Sequence, residues 1–113
     1  MLKLVVGLGN PGSKYEKTRH NAGFVFLDEL ASRCGSAWSV DLRFQGLVSE
    51  CVLGGQKLIL LKPQTFMNLS GASVGSLMRY YKLQVNELLV VHDELDLPEG
   101  VIKLKRDGGH AGH

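Results

Sequence analysis

Three polar side chains, those of Asn10, Asn68 and Asp93, lie in the stretches that follow three short apolar runs of the sequence. Short apolar runs bounded by polar or turn residues predict buried strands. If these strands are parallel, their carboxyl ends share one edge of a sheet, which is where α/β folds bind ligands. Two amides and a carboxylate would then meet at that edge, which we interpret as a candidate site.

His20 closes a polar stretch and stands directly before a predicted helix start. Loops at strand ends carry much of a protein's chemistry, and imidazole changes its protonation near neutral pH. A carboxylate that accepts a hydrogen bond from one imidazole nitrogen fixes the tautomer and raises the basicity of the other nitrogen. His20 is therefore predicted to be a general base that Asp93 orients. A structural or solvated histidine is the alternative.

The segment Gly7–Gly12 matches the pattern G-x-G-x-x-G of dinucleotide-binding turns. That pattern requires a helix that opens at its third glycine and points its N-terminus at the pyrophosphate. Here Pro11 lies inside the turn, and residues 13–19 are polar with no apolar face. The glycines are therefore expected to permit a tight turn that presents Asn10, with nucleotide binding as the alternative.

Three further features of the sequence could suggest a metal site or a nucleophile: the acidic run 92–96, the pair His110 and His113, and Ser70. The acidic run 92–96 has no second histidine at a metal-ligand spacing, and His110 and His113 are surrounded by glycines. Neither the acidic run nor the histidine pair has the pattern of a zinc site, so no metal is predicted. Ser70 lacks the flanking glycines of a nucleophile elbow and is predicted to cap a helix.

Basic and apolar residues near these runs allow two interpretations each. Lys103 and Lys105 alternate along a predicted strand, which is typical either of a solvated edge strand or of a contact to a phosphate backbone. Phe66 and Met67, beside Asn68, are either part of the core or an apolar wall of the site.

The composition is that of an ordinary globular protein. The chain has 113 residues, 44% hydrophobic and 21% charged, with a formal net charge of +2. This balance indicates one domain over 1–113 and excludes disorder. The apolar runs fall far short of the ~20 residues of a membrane span, and the N-terminus is unlike a signal peptide. Cys34 and Cys51 follow no disulfide or zinc pattern, so buried thiols and a cytoplasmic location are expected.

The elements that must position these side chains alternate between strands and helices. Asn21 is predicted to cap a helix over 22–34 that stops at Gly35 and has one apolar face. Gly54 and Gly55 predict a hairpin turn between two antiparallel strands. The other predicted elements are strands at 2–6, 44–53, 57–61, 88–91 and 101–105 and a helix over 71–81, capped by Ser70 or Asn68. We predict a single α/β domain with a mixed, largely parallel twisted sheet flanked by helices.

Five motifs in this order resemble the bacterial peptidyl-tRNA hydrolase family. They are VGLGNPG at 6–12, TRHNAG at 18–23, TFMNLSG at 65–71, HDELDLP at 92–98 and GGHAGH at 108–113. The resemblance implies hydrolysis of the ester that joins a peptide to the terminal ribose of tRNA, which releases tRNA for reuse in translation. It implies a monomeric cytoplasmic enzyme that needs no cofactor and whose partner is peptidyl-tRNA.

The resemblance also implies a role for individual residues. His20 resembles the base that activates water, and Asp93 the carboxylate that orients it. The amides of Asn10 and Asn68 would bind substrate and place the reacting carbonyl. The remaining matches are Tyr15, Phe66 and Met67 in the channel for the peptide and acceptor end, His113 near the acceptor end, and Lys103 and Lys105 on tRNA phosphate.

The resemblance further implies that relatives continue well past His113, with an Asn, a helix, more strands and a C-terminal helix. We therefore expect the chain to be an N-terminal fragment, truncated at the C-terminus, poorly active and prone to aggregate by itself. Two other classes stay open at this point: an RNA-binding module that has lost catalysis, and a nucleotide-binding domain that rests on the glycine pattern.

Overall fold

A computed structural model describes residues 1–9, 21–65, 69–93 and 102–105, with the backbone alone described for Asp93 and for 102–105. Within these ranges the chain forms two α-helices and six strands. In chain order they are β1 (Leu4–Gly7), α1 (Ala22–Cys34), β2 (Ser39–Asp41), β3 (Gly46–Leu53), β4 (Gln56–Pro63), α2 (Ser70–Tyr81), β5 (Leu88–Asp93) and β6 (Ile102–Lys105). Short 3₁₀ turns at Leu42–Phe44 and Val85–Glu87 precede β3 and β5.

The strands form one sheet in the order β2-β3-β4-β1-β5-β6. The first strand of the chain lies at its centre and pairs in parallel with β4 and with β5, so that Val6 stands opposite Leu61 on one side and Val90 on the other. The pairs β2–β3, β3–β4 and β5–β6 are antiparallel. The predicted mixed sheet flanked by helices is therefore confirmed, although only the two pairings of β1 are parallel and the other three described pairings are antiparallel.

One helix covers each face of the sheet. The residues buried under α1 include Val5, Leu60 and Val91, together with Leu27 and Ala31 of the helix itself. The other face packs against α2 and against the 3₁₀ turn that precedes β3; its buried members include Leu4, Val6, Phe44, Leu61, Val74, Leu77 and Val90. Burial on both faces explains why the central strands are almost uniformly apolar.

Helix α1 has the bounds that the sequence predicted. It ends because Gly35 adopts the left-handed conformation, with φ of 67°, and its N–H closes the last turn. Asn21 occupies the predicted N-cap position, although its side chain makes no capping hydrogen bond. Asn21 is buried.

The predicted cap of α2 is wrong. Leu69 holds the N-cap position, and Ser70 is already the first helical residue. A serine caps a helix from a non-helical backbone, so a serine inside the first turn cannot take that role. Ser70 is instead a buried residue in the first turn of α2. The alternative cap, Asn68, lies outside the described residues.

The predicted hairpin is confirmed, because Gly54 and Gly55 have φ of 57° and 80° and connect β3 to β4. Positive φ at both central residues gives a turn whose twist matches that of the strands. The short strand β2 was not predicted.

The expectation of free thiols is also wrong. Cys34 of α1 and Cys51 of β3 form a disulfide, with their Cα atoms 5.5 Å apart. The packing of α1 over β3 brings the two together across 17 positions of sequence, which no local pattern announces. Neither helix that the structure describes is long and apolar enough to cross a membrane.

Candidate active site at the carboxyl edge of the central strands

The carboxyl ends of β4, β1 and β5 lie side by side at one edge of the sheet. Their last residues are Pro63, Gly7 and Asp93, and all three strands point the same way. Just past β1, the N–H of Leu8 donates a 2.9 Å hydrogen bond to the carbonyl of Val91, which holds the two strand ends together. The predicted convergence of three parallel strand ends is thus confirmed. The backbone of Asp93 lies at this edge as the last residue of β5.

Helix α1 begins directly against this edge. A Cβ atom at Gly23 would lie 2.4 Å from the carbonyl oxygens of both Leu8 and Val91. A Cβ atom at Gly7 would lie equally close to the carbonyl oxygen of Gly23. Because these neighbours are backbone atoms, the helix and strands touch at a distance that only glycine permits.

Gly9 and Asn21 form a second close contact. A Cβ atom at Gly9 would lie 2.6 Å from Oδ1 of Asn21 and 2.9 Å from Cγ of Phe24. Asn21 itself is 1% exposed. We call this contact the Gly9–Asn21 junction. The segment 10–20, which carries Asn10 and His20, connects these two residues in sequence and lies outside the described residues.

The glycines of the dinucleotide-like pattern therefore have a packing role that sequence analysis missed. Gly7 and Gly9 admit the first turn of α1 to the strand edge. The described helix that follows β1 begins at Ala22 and not at the third glycine of the pattern.

Lys62 is a second feature that sequence analysis did not identify. It lies one residue before the end of β4, on the face that α1 covers, and is 8% exposed. Its ammonium group forms an ion pair with the carboxylate of Asp28 in α1. Nζ also lies 4.4 Å from the ring centroid of Trp38 and 5.7 Å from that of Phe24. A charged residue at the end of an apolar run is ordinarily expected to be solvated. Because the partners of Lys62 are also distant in sequence, its burial could not be predicted.

The other predicted site residues have the following places. Lys103 and Lys105 belong to β6, in register with His92 and Val90 of β5. Seven of the predicted site residues lie outside the described residues: Asn10, Tyr15, His20, Phe66, Met67, Asn68 and His113. Among the residues that are described, no three His, Cys, Asp or Glu side chains cluster so as to hold a metal ion.

The opposite, amino end of the central strands is held by ionic contacts. Nζ of Lys3 lies 2.8 Å from Oε2 of Glu87, and the N–H of Lys3 donates to the carbonyl of Glu87. The Lys3 ammonium group, followed by the backbone N–H of Gln84, lowers the pKa of the Glu87 carboxyl below its ordinary value. Since Lys3 precedes β1 and Glu87 precedes β5, this pair joins the starts of the two strands whose ends form the candidate site.

A family model described as peptidyl-tRNA hydrolase matches residues 4–113 of the chain. Proteins named peptidyl-tRNA hydrolase from Dichelobacter nodosus and Cupriavidus metallidurans are 53% and 57% identical to the chain over 113 residues. The chain is fully covered in both alignments but spans only 60% and 57% of those relatives.

A crystal structure of peptidyl-tRNA hydrolase from Acinetobacter baumannii superimposes on the chain with a TM-score of 0.86 at 45% sequence identity. The match covers 98% of this chain and 58% of the crystallised one. The sequence motifs, the mixed sheet and the family model agree, and the chain belongs to the peptidyl-tRNA hydrolase family.

Proposed function

We propose that the protein hydrolyses the ester between peptide and tRNA in peptidyl-tRNA, with the reaction at the carboxyl edge of β4, β1 and β5. The observation that carries this proposal is the seating of the first turn of α1 on the ends of β1 and β5. Asn21, the chain neighbour of His20, packs at this edge, and Asp93 ends β5 at the same edge. Family membership supplies the reaction class.

In this proposal His20 accepts a proton from a water molecule, and the resulting hydroxide attacks the ester carbonyl carbon. Asp93 orients the imidazole and stabilises its charged form. The amides of Asn10 and Asn68 hold the carbonyl and donate to the oxygen as negative charge develops on it. The bond between the carbonyl carbon and the ribose oxygen then breaks, and His20 returns the proton to that oxygen. No metal or cofactor takes part in this sequence.

The substrate is proposed to extend from this edge in two directions. Tyr15, Phe66 and Met67 line the channel for the peptide and acceptor end, and His113 contacts the substrate near that end. Lys103 and Lys105 bind tRNA phosphate. The pairing of β6 with β5 supports this arrangement, because the strand that carries both lysines runs beside the strand that ends in Asp93.

Replacement of His20 by Ala in the full-length gene product tests the catalytic assignment. General-base catalysis contributes ~10²–10⁴-fold, so kcat on peptidyl-tRNA should fall by that order while the unfolding midpoint stays near that of the wild type. Asp93→Asn should cost less, because the base remains. A His20→Ala variant with a near-normal rate would overturn the assignment. A wild-type protein that binds tRNA but hydrolyses nothing would instead indicate a non-catalytic RNA-binding module.

A further inference from the structure

We propose that Lys62 is a positioning residue for the reaction proposed above. Its buried ammonium group holds the first two turns of α1 against β4 and thereby fixes the Gly9–Asn21 junction, where the segment with Asn10 and His20 begins and ends. The kinetic consequence of this inference rests on the proposed function, whereas the structural consequence can be measured without any substrate.

The surroundings of Lys62 are built to hold a charge. Lysine is almost never fully buried unless it is paired, because its charged form loses hydration. Here the ammonium group has an ionic partner in Asp28 and two aromatic rings, those of Trp38 and Phe24, within the ~6 Å range of a cation–π contact. Three partners from α1 and from the segment after it thus converge on one atom of β4.

Two of these partners belong to successive turns of α1. Phe24 and Asp28 are four residues apart, so they lie one above the other on the same face of the helix. A single group that contacts both turns resists sliding of the helix along the strand and rotation about its axis. Lys62 also follows Leu61, the register partner of Val6, so its place on β4 is beside Gly7 at the edge of the sheet.

The contact continues from Phe24 to the junction. Cγ of Phe24 would lie 2.9 Å from a Cβ atom at Gly9, and the side chain of Asn21 abuts the same residue. The ring of Phe24 therefore neighbours both the Lys62 ammonium group and Gly9. A shift of this ring moves the point at which the chain leaves β1 toward Asn10.

A role in position can be separated from a role in stability. Hydrophobic residues of similar volume often replace a buried ion pair with little loss of stability. Methionine at position 62 would fill the same space, and the Asp28 carboxylate, whose side chain is 54% exposed, could turn to solvent. What Lys62→Met removes is the directional contact, since methionine adapts to many arrangements.

The test compares Lys62→Met, Lys62→Arg and Lys57→Met in the full-length gene product. Lys57 lies on the same strand but is exposed and pairs with Glu50, which makes it a matched control. Displacements of about 1 Å cost up to ~10²-fold in rate, so Lys62→Met should lower kcat by about 10- to 100-fold with KM changed less than about threefold. Lys62→Arg keeps the charge and should restore most of kcat, and Lys57→Met should match the wild type.

Amide hydrogen exchange supplies the readout that needs no activity. Residues 21–24 should exchange faster in Lys62→Met than in the wild type and Lys57→Met, because their local unfolding becomes easier. A wild-type protein without hydrolase activity would remove the proposed function, and the exchange experiment would still test the contact. Wild-type kcat and wild-type exchange in Lys62→Met would overturn the inference.

Asp28→Asn keeps the test open if Lys62→Met does not fold. The substitution alters a half-exposed side chain and leaves the ammonium group with its aromatic partners. It should give a smaller loss of kcat and faster exchange over residues 21–24, and no change in either quantity would overturn the inference.

Discussion

The contact of Gly23 with the strand ends predicts that Gly23→Ala separates α1 from the sheet. The added Cβ atom would lie 2.4 Å from two carbonyl oxygens, those of Leu8 and Val91, and 2.6 Å from the nitrogen of Leu8. Ordinary contact begins at 3.4 Å, so the helix start must recede by about 1 Å. None of the three atoms can rotate aside, because all belong to the backbone: Val91 lies in β5, and Leu8, the residue after β1, is tied to Val91 by its N–H.

The expected cost combines three contributions. Overpacking in a tight site costs ~1–3 kcal/mol. Weakening the hydrogen bond from Leu8 N–H to the Val91 carbonyl costs a further ~0.5–1.5 kcal/mol. Alanine returns at most ~1 kcal/mol relative to glycine within a helix. The free energy of unfolding should therefore fall by roughly 0.5–4.5 kcal/mol. Hydrolysis should fall by up to ~10²-fold, because the chain neighbour of His20 moves with the helix.

Chemical denaturation of the full-length gene product, with Gly75→Ala as the control, measures this effect. At Gly75 in α2 the nearest neighbour of a new Cβ atom is the flexible end of Arg79, at 3.2 Å. That variant should gain about 0.5–1 kcal/mol, since alanine restricts the unfolded chain more than glycine does. The reasoning fails if Gly23→Ala is as stable and as active as the wild type, or if both variants change stability in the same direction.

Three further predictions concern other parts of the molecule. Because Lys3 lowers the pKa of Glu87, the stabilisation from this pair is complete above the ordinary Glu value of 4.5 and is lost as pH falls through the lower folded pKa. Lys3→Met should therefore reduce the loss of unfolding free energy between pH 5 and 3, measured by urea titrations. The same loss in the variant and the wild type would contradict this. Ser73→Ala removes the donor to the buried carbonyl of Phe44 and should cost about 1–3 kcal/mol in thermal unfolding. Lys105→Ala should weaken turnover of peptidyl-tRNA, less so at high salt, and leave a short peptidyl ester unaffected; equal losses on both substrates would refute the phosphate contact.

Local signals predicted the elements whose ends are set by single residues. Gly35 marks the end of α1, and Gly54 and Gly55 mark the hairpin, because the left-handed conformation of each favours glycine. The start of α1 was also predicted at Asn21, although the Asn21 side chain makes no capping hydrogen bond. The parallel edge followed from three apolar runs and the general rule for α/β sheets. By contrast, β2 has only three residues, all at least partly exposed, and carries no alternation that could reveal it.

Contacts between distant residues could not be predicted. The ion pair of Lys62 with Asp28, the link between Cys34 and Cys51, and the packing of Gly23 against Val91 arise only when α1 lies across the sheet. The sequence around each of these residues carries no local pattern that indicates its distant partner. Ser70 was misplaced by one position because a serine before an apolar face resembles an N-cap, whereas Leu69 takes that position. The roles of His20 and Asp93 stay predictions.

The central place of β1 has a consequence for synthesis of the protein on the ribosome. Strand β1 needs partners on both sides, and it is synthesised well before those partners, β4 and β5. At ~5–20 residues per second, β1 waits on the order of 4 to 17 s before β5 has been synthesised. Such non-local parallel pairing gives a high contact order, so the folding rate is limited by closing long loops. A nascent chain of this kind is expected to depend on chaperones that shield a short apolar N-terminal segment until the sheet can assemble from its middle outward.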